Sequence, residues 1–128
     1  MAVDRLADAL NKLKLYDRLG KKECIIHSTK LIKNVMSVLK ENGYVEDFEE
    51  IEIEGKPFLK VFLRGKITNI GVIKPRQPVK YKEWVSTESQ YLPAYNIGIL
   101  VASTPKGVIS NIQAKREKIG GRLLAYVY

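Results

Sequence analysis

At Gly43 the spacing of the apolar residues changes period. Before it, Val3, Leu6, Leu10 and Leu13, and then Ile32, Val35, Met36 and Leu39, recur three and four residues apart. That is the spacing of one face of an amphipathic helix. After it, Glu50, Ile51, Glu52, Ile53 and Glu54 alternate, and Leu59, Val61 and Leu63 form a second alternating set, the period of strands. A chain with both periods in its first half is neither all-helical nor all-β. The ends of the elements are also legible. Asp4 and Asp8 come early in the first helix and Lys12, Lys14 and Arg18 late, which suits the helix dipole. Gly20 can end it. Ser28 or Thr29 can cap the second helix, and Gly43 follows it. Cys24-Ile25-Ile26 reads as a brief strand, and Gly55-Lys56 as a two-residue hairpin loop with Gly first. The order is α-β-α-β-β, a small sheet with two helices on one face.

From Ile70 the texture differs. Pro75, Pro78 and Pro93 break the chain and the strands are short. Residues 81–91 predict a helical turn or two or an ordered loop. Residues 97–102, 107–109 and 123–128 predict strands, the last of them closing the sheet. Ser110-x-x-Gln113 is a capping-box pattern for a short helix ending at Gly120. Residues 64–69 look like a join. The expected architecture is α+β in two small subdomains, 1–66 and 67–128, the second mainly β with a short helix, and no flexible linker between them.

Composition excludes several classes. Of 128 residues, 45% are hydrophobic and 28% charged, so the chain can bury a core and is not expected to be disordered. The apolar runs at 97–102 and 123–128 are far too short to cross a bilayer. No basic stretch leads into an apolar one at the N-terminus, so no signal peptide is expected. The single cysteine, Cys24, can make no internal disulfide, which points to an intracellular domain.

The formal charge is +8, and its distribution matters more than its size. Residues 1–40 carry nine basic and four acidic side chains, residues 41–54 seven acidic and none basic, and residues 55–128 thirteen basic and three acidic. A polyanion-facing surface with an acidic back gives such a pattern, and so does plain solvation.

The sites of enzymes are poorly represented. Cys24-x-x-His27 suggests metal or redox chemistry, but the chain has no other Cys or His, and zinc needs three or four such ligands. A Cys–His nucleophile pair lacks an orienting partner, and Cys24 reads as a small core hydrophobe. Glu50, Glu52 and Glu54 fall on one strand face, the pattern of a solvated surface. Gly65-Lys66 lacks the glycine and hydroxyl of a phosphate loop, and Ser103 lacks a nucleophile elbow. Expected catalytic residues, metal ligands and cofactors are none.

Residues 103–107, Ser-Thr-Pro-Lys-Gly, are more informative. Two hydroxyls, a cation and a glycine crowd one turn after a strongly apolar strand. Hydroxyls and open N–H groups suit phosphate and ribose oxygens, and glycine permits close approach. The same residues are ordinary turn formers. Lys115, Arg116, Lys118 and Arg122 follow in a short basic segment. Trp84 and five of the seven tyrosines (81, 91, 95, 126 and 128) lie in the same half. Cations interleaved with stacking rings suit irregular RNA, although Tyr126 and Tyr128 also suit strand packing.

Along these residues the chain resembles the eighth protein of the small ribosomal subunit in its archaeal and eukaryotic form. The match runs in order through Asp4-x-Leu6-Ala7-Asp8-Ala9-Leu10, Gly20-Lys21-Lys22-Glu23-Cys24, Gly71-Val72-Ile73-x-Pro75-Arg76 and Tyr91-Leu92-Pro93-Ala94. It continues through Gly98-Ile99-Leu100-Val101, Ser103-Thr104-x-Lys106-Gly107, and Gly120-Gly121-Arg122-Leu123-Leu124-Ala125-Tyr126-Val127-Tyr128. The family's turn motif is Ser-Thr-Ser-x-Gly, and Pro105 here replaces its second serine.

The resemblance implies an α/β N-terminal and a mainly β C-terminal domain, both binding rRNA. It implies direct binding to the central domain of small-subunit rRNA, early in assembly. Ser103, Thr104, Lys106 and Gly107 would then make the principal contact, and Arg122 of the basic segment is a further expected RNA-binding residue. Ser28, Lys30 and Lys33 would make a second contact from the N-terminal domain. The expected partners are this rRNA and neighbouring small-subunit proteins, with no membrane and no small-molecule substrate. The expected state is a non-enzymatic cytoplasmic protein of the ribosome, monomeric away from it. The other readings are a basic protein-interaction or regulatory RNA-binding module, including one that binds its own messenger, a membrane-surface module, and an enzyme using Cys24 with His27, or Ser103.

Overall fold

The computed structural model describes residues 4–94 and 97–128. Val3 and Tyr95, singled out above, lie outside them. The chain divides into two compact units, Met1–Thr68 and Asn69–Tyr128, and it has α+β character throughout.

In the first unit the order is α1 (Arg5–Arg18), β1 (Glu23–His27), α2 (Lys30–Glu41), β2 (Val45–Ile53) and β3 (Lys56–Leu63). Asp4 caps α1 by accepting the Ala7 N–H, and Thr29 caps α2 by accepting that of Ile32 at 3.1 Å. Gly20 and Gly43 take positive φ just past the helix ends, where an L-residue would be strained. The strands form one antiparallel sheet in the order β1-β3-β2. Cys24 and Ile26 of β1 lie on the same face as Val61 and Leu59 of β3 by register. All four are buried, as are Leu6, Leu10, Leu13, Ile32, Val35, Met36 and Leu39 of the two helices. The helical stripes read from the sequence are therefore the core of this unit.

Two details differ from the sequence reading. The hairpin loop is Glu54-Gly55, not Gly55-Lys56, because Ile53 pairs with Lys56. Both loop residues have positive φ, 52° and 78°, the geometry of the tight turn whose twist matches the flanking strands. The alternation along β2 and the exposure of Glu50, Glu52 and Glu54 are as expected, but the apolar side opposite them is not buried. Ile53 is 40% exposed, and Glu50, which shares a face with Leu59, reaches Lys33 of α2. As an edge strand, β2 is only partly covered by the helices.

The second unit runs β4 (Ile70–Val72), β5 (Pro78–Val79), a 3-10 turn (Tyr81–Glu83), α3 (Trp84–Tyr91), β6 (Ile99–Thr104), β7 (Gly107–Ser110), α4 (Asn111–Glu117) and β8 (Gly121–Val127). The order β4-β8-β6-β7, with β5 also on β8, makes the last strand the central one. Leu100, Ala102, Ile109 and Leu123 of the sheet pack with Ile73, Val79, Trp84, Leu92 and Ala114. The capping serine is confirmed, since Ser110 Oγ accepts the Gln113 N–H at 3.2 Å. The helix stops at Lys118, which takes the left-handed conformation, two residues before the expected Gly120. Glycine is required at 120 for another reason: a Cβ there would collide with the Val79 carbonyl oxygen.

Candidate nucleic-acid interface

Ser103 and Thr104 end β6, Pro105 and Lys106 make the loop, and Gly107 opens β7 with φ +102°. Proline supplies the fixed φ that the first loop position wants, and glycine takes the positive φ after it. Pro105 thus completes the turn by backbone geometry where a serine would offer a hydroxyl. The Thr104 hydroxyl is spent inside the turn: Oγ1 donates to the Gly107 carbonyl at 2.8 Å and accepts the Lys106 N–H at 3.1 Å. Ser103 is different. It is exposed, and its hydroxyl has no partner among the described residues.

Register places Ser103 directly opposite Arg122 on β8, so the two side chains share a face and are neighbours. Arg122 is exposed, with Nη1 donating to the Arg76 carbonyl at 3.3 Å. Between them the role of Gly121 becomes clear. A Cβ at 121 would sit 2.8 Å from the Ser103 carbonyl oxygen and from the Thr104 methyl. Glycine lets the hydroxyl-bearing end of β6 lie flush against β8. A hydroxyl, a guanidinium and a hairpin tip thus project together. Lys106 of the tip pairs with Glu117 of α4 at 2.5 Å. The hydrogen bond and charge of Lys106 hold the Glu117 carboxyl below the usual carboxylate range.

The stacking rings expected around this turn are mostly structural. Trp84 is fully buried, and its Nε1–H donates to the Ile119 carbonyl at 2.9 Å. Tyr91, Tyr126 and Tyr128 stack in series, with centroids 6.2 Å apart at each step, against the core of their unit. Tyr81, 40% exposed, keeps an open ring. The basic segment is likewise divided. Lys115 is drawn to Glu88 at 2.8 Å. That carboxylate also accepts from Asn111, whose Oδ1 accepts the Leu100 N–H at 3.0 Å. Lys115 therefore neutralises a buried carboxylate.

In the first unit, Ser28 follows β1 and its N–H donates to the Pro57 carbonyl at 3.4 Å. Lys30 is exposed at the start of α2, while Lys33, one turn on, pairs with Glu50 at 2.5 Å. Lys40–Asp47 and Arg64–Glu46 pairs, at 3.0 and 3.3 Å, continue the neutralisation of the acidic strand. Cys24 and His27 are not brought together. Three residues apart on a strand, they fall on opposite faces. Cys24 is 1% exposed, and burial pushes its thiol up to about 11, which leaves no thiolate nucleophile at neutral pH. Among the described residues no helix is long and apolar enough to cross a membrane.

What sequence reasoning missed is the pairing. The roles of Gly121 and Glu117 depend on what β6 and Lys106 touch, and no spacing along the chain reports that.

Comparison with known proteins agrees along the whole chain. Residues 4–128 match the family described as Ribosomal protein S8. The small ribosomal subunit protein uS8 of Thermoplasma volcanium is 46% identical over 129 residues, covering all of both chains. Those of Pyrobaculum islandicum and Methanococcoides burtonii are 49% and 44% identical, over 98% of each chain. The chain thus belongs to the ribosomal protein S8 family, structural constituents of the small ribosomal subunit rather than enzymes.

Proposed function

We propose that this chain binds the central domain of small-subunit rRNA directly and helps organise its assembly. The observation that carries this reading is the tip of the β6–β7 hairpin. A Ser103 hydroxyl with no partner among the described residues shares a sheet face with Arg122, on backbone that Gly121 keeps free of side-chain bulk. A hydroxyl reads 2′-OH groups and base edges, and a guanidinium holds phosphate. Thr104 shapes the tip, Gly107 turns it, and Lys106 adds a phosphate contact after exchanging Glu117 for RNA. Ser28, Lys30 and Lys33 make a second contact from the first unit, with Lys30 the readiest cation. The protein acts as a monomer before assembly and works in the cytoplasm.

The test is a titration of the purified chain with a central-domain rRNA fragment, at several salt concentrations and against excess unrelated RNA. Specific binding should survive the competitor. Ser103→Ala should weaken it by about 1 kcal/mol, one hydrogen bond's worth, without changing the salt slope. Lys106→Ala should reduce the slope by about one phosphate. Binding that the competitor abolishes, or a Ser103→Ala variant as tight as wild type, would overturn the assignment.

A further inference from the structure

We propose that the first unit carries a pocket for one unstacked RNA base, built by α1 against the outer edge of β1. The inference rests on the rRNA-binding reading above and adds a site outside its residue set. Arg5, Asp8, Ala9 and Lys12 lie at positions i, i+3, i+4 and i+7 of α1, one face of a helix. They line a cleft together with Ile25, Ile26, His27 and Phe58, and its volume is about 90 Å³. His27 and Phe58 stand opposite each other across β1 and β3. Their rings stack with centroids 4.9 Å apart at 29°. Lys12 Nζ donates to the Ile25 carbonyl at 2.6 Å. This sets the ammonium at the strand edge, where it also lies 5.6 Å from the Tyr16 ring centroid.

Size and chemistry together select the ligand. Pockets for whole small molecules or cofactors run to about 300–1,000 Å³, so this cleft takes a single planar ring and leaves sugar and phosphate outside. His27 and Phe58, a stacked pair, are among its lining residues, and the exposed His27 ring can extend that stack by one base. Arg5 and Lys12 at the rim meet phosphate, and Asp8 accepts from an exocyclic amine or a 2′-OH. An acidic peptide would satisfy the cations but leave the rings unused. A nucleotide turned out of an RNA helix satisfies all three features. Ser28 and Lys30 follow His27 directly along the chain, so the pocket extends the proposed N-terminal contact.

The experiment uses the full chain bound to the central-domain rRNA fragment. Ultraviolet cross-linking followed by mass spectrometry should find a nucleotide adduct on His27 or Phe58. His27→Ala should weaken binding roughly tenfold with an unchanged salt slope, as loss of a stacked base does. Arg5→Ala should lower the slope by about one phosphate. His27→Phe, which keeps a ring, should restore affinity. If His27→Ala binds like wild type and adducts fall only on the second unit, while Ser103→Ala still weakens binding, the pocket is refuted and the rRNA reading stands. A His27→Phe variant as weak as His27→Ala also refutes it. If the wild-type chain does not prefer the central-domain fragment to unrelated RNA, the underlying reading fails first.

Discussion

Asp17 is an acid in the last turns of α1, where the helix dipole disfavours negative charge. Tertiary structure gives the reason for its place. Only 7% exposed, it divides its oxygens between the N–H groups of Gly65 and Ile67, at 2.9 and 3.1 Å. It thereby orders the segment that the sequence marks only as a join. Replacing Asp17 by Ala removes two charge-assisted bonds and strands the Ile67 N–H, so unfolding in denaturant should show a loss of about 2–4 kcal/mol. Asp17→Asn, which keeps one acceptor, should lose less. Cys24 makes a second prediction at this scale. Its folded-state pKa, about 11, lies above the ordinary value of 9.0 because burial disfavours the thiolate. Its contribution is therefore complete below pH 9 and is lost as pH rises towards 11, when the unfolded chain gives up its proton first. Across that window the wild type should lose ~1–3 kcal/mol more stability than Cys24→Ala, measured by denaturation at each pH.

At the scale of elements, the β6–β7 hairpin and α4 hold one another through Lys106 and Glu117. Glu117 is held below its ordinary pKa by that contact, so the pair is present at neutral pH and is lost as pH falls through the carboxylate range. In the proposed complex, phosphate competes with Glu117 for the same ammonium. Glu117→Gln should therefore raise rRNA affinity a few-fold at low salt, and titration against wild type checks it. An unchanged affinity would mean that Lys106 meets no phosphate in the complex. The elements also show how far local rules reach. Helix caps at Thr29 and Ser110 were legible because a cap bonds to its own first turn. The hairpin loop falls one residue earlier than the sequence reading because Gly55 takes its second position rather than its first, which only the Ile53–Lys56 pairing reveals. α4 ends where Lys118 takes the left-handed conformation, and Gly120 is needed instead for its close approach to the Val79 carbonyl, a contact that local spacing does not report.

Across the whole molecule the charge pattern acquires a structure. The acidic segment lies along an edge strand, where Lys33, Lys40 and Arg64 each meet a carboxylate, so the −7 of residues 41–54 is partly neutralised within its own unit. The cations left open include Lys30 and Arg122, in different units. Binding by the intact chain should accordingly fall with salt more steeply than the slope of a Lys30→Ala, Arg122→Ala double variant, by about two phosphates' worth. A salt series on both proteins measures it. A difference of about one phosphate would remove one of these residues from the interface, and equal slopes would remove both.

The sequence alone determined the class, the order of elements in the first unit, the helix faces and the family. Each of these is written in short-range spacing or in ordered motifs. It also marked the Ser103–Gly107 turn, because hydroxyls, proline, lysine and glycine rarely gather so closely without turning the chain. Only the tertiary structure decided which of those groups are free. Thr104 is consumed by its own turn, Lys106 and Lys33 by carboxylates from other elements, Lys115 by a buried Glu88, and Trp84 by the core. Ser103 and Arg122 become neighbours only through strand register. Register and packing join residues far apart in the chain, and a one-residue change in pairing would send every side chain to the other face.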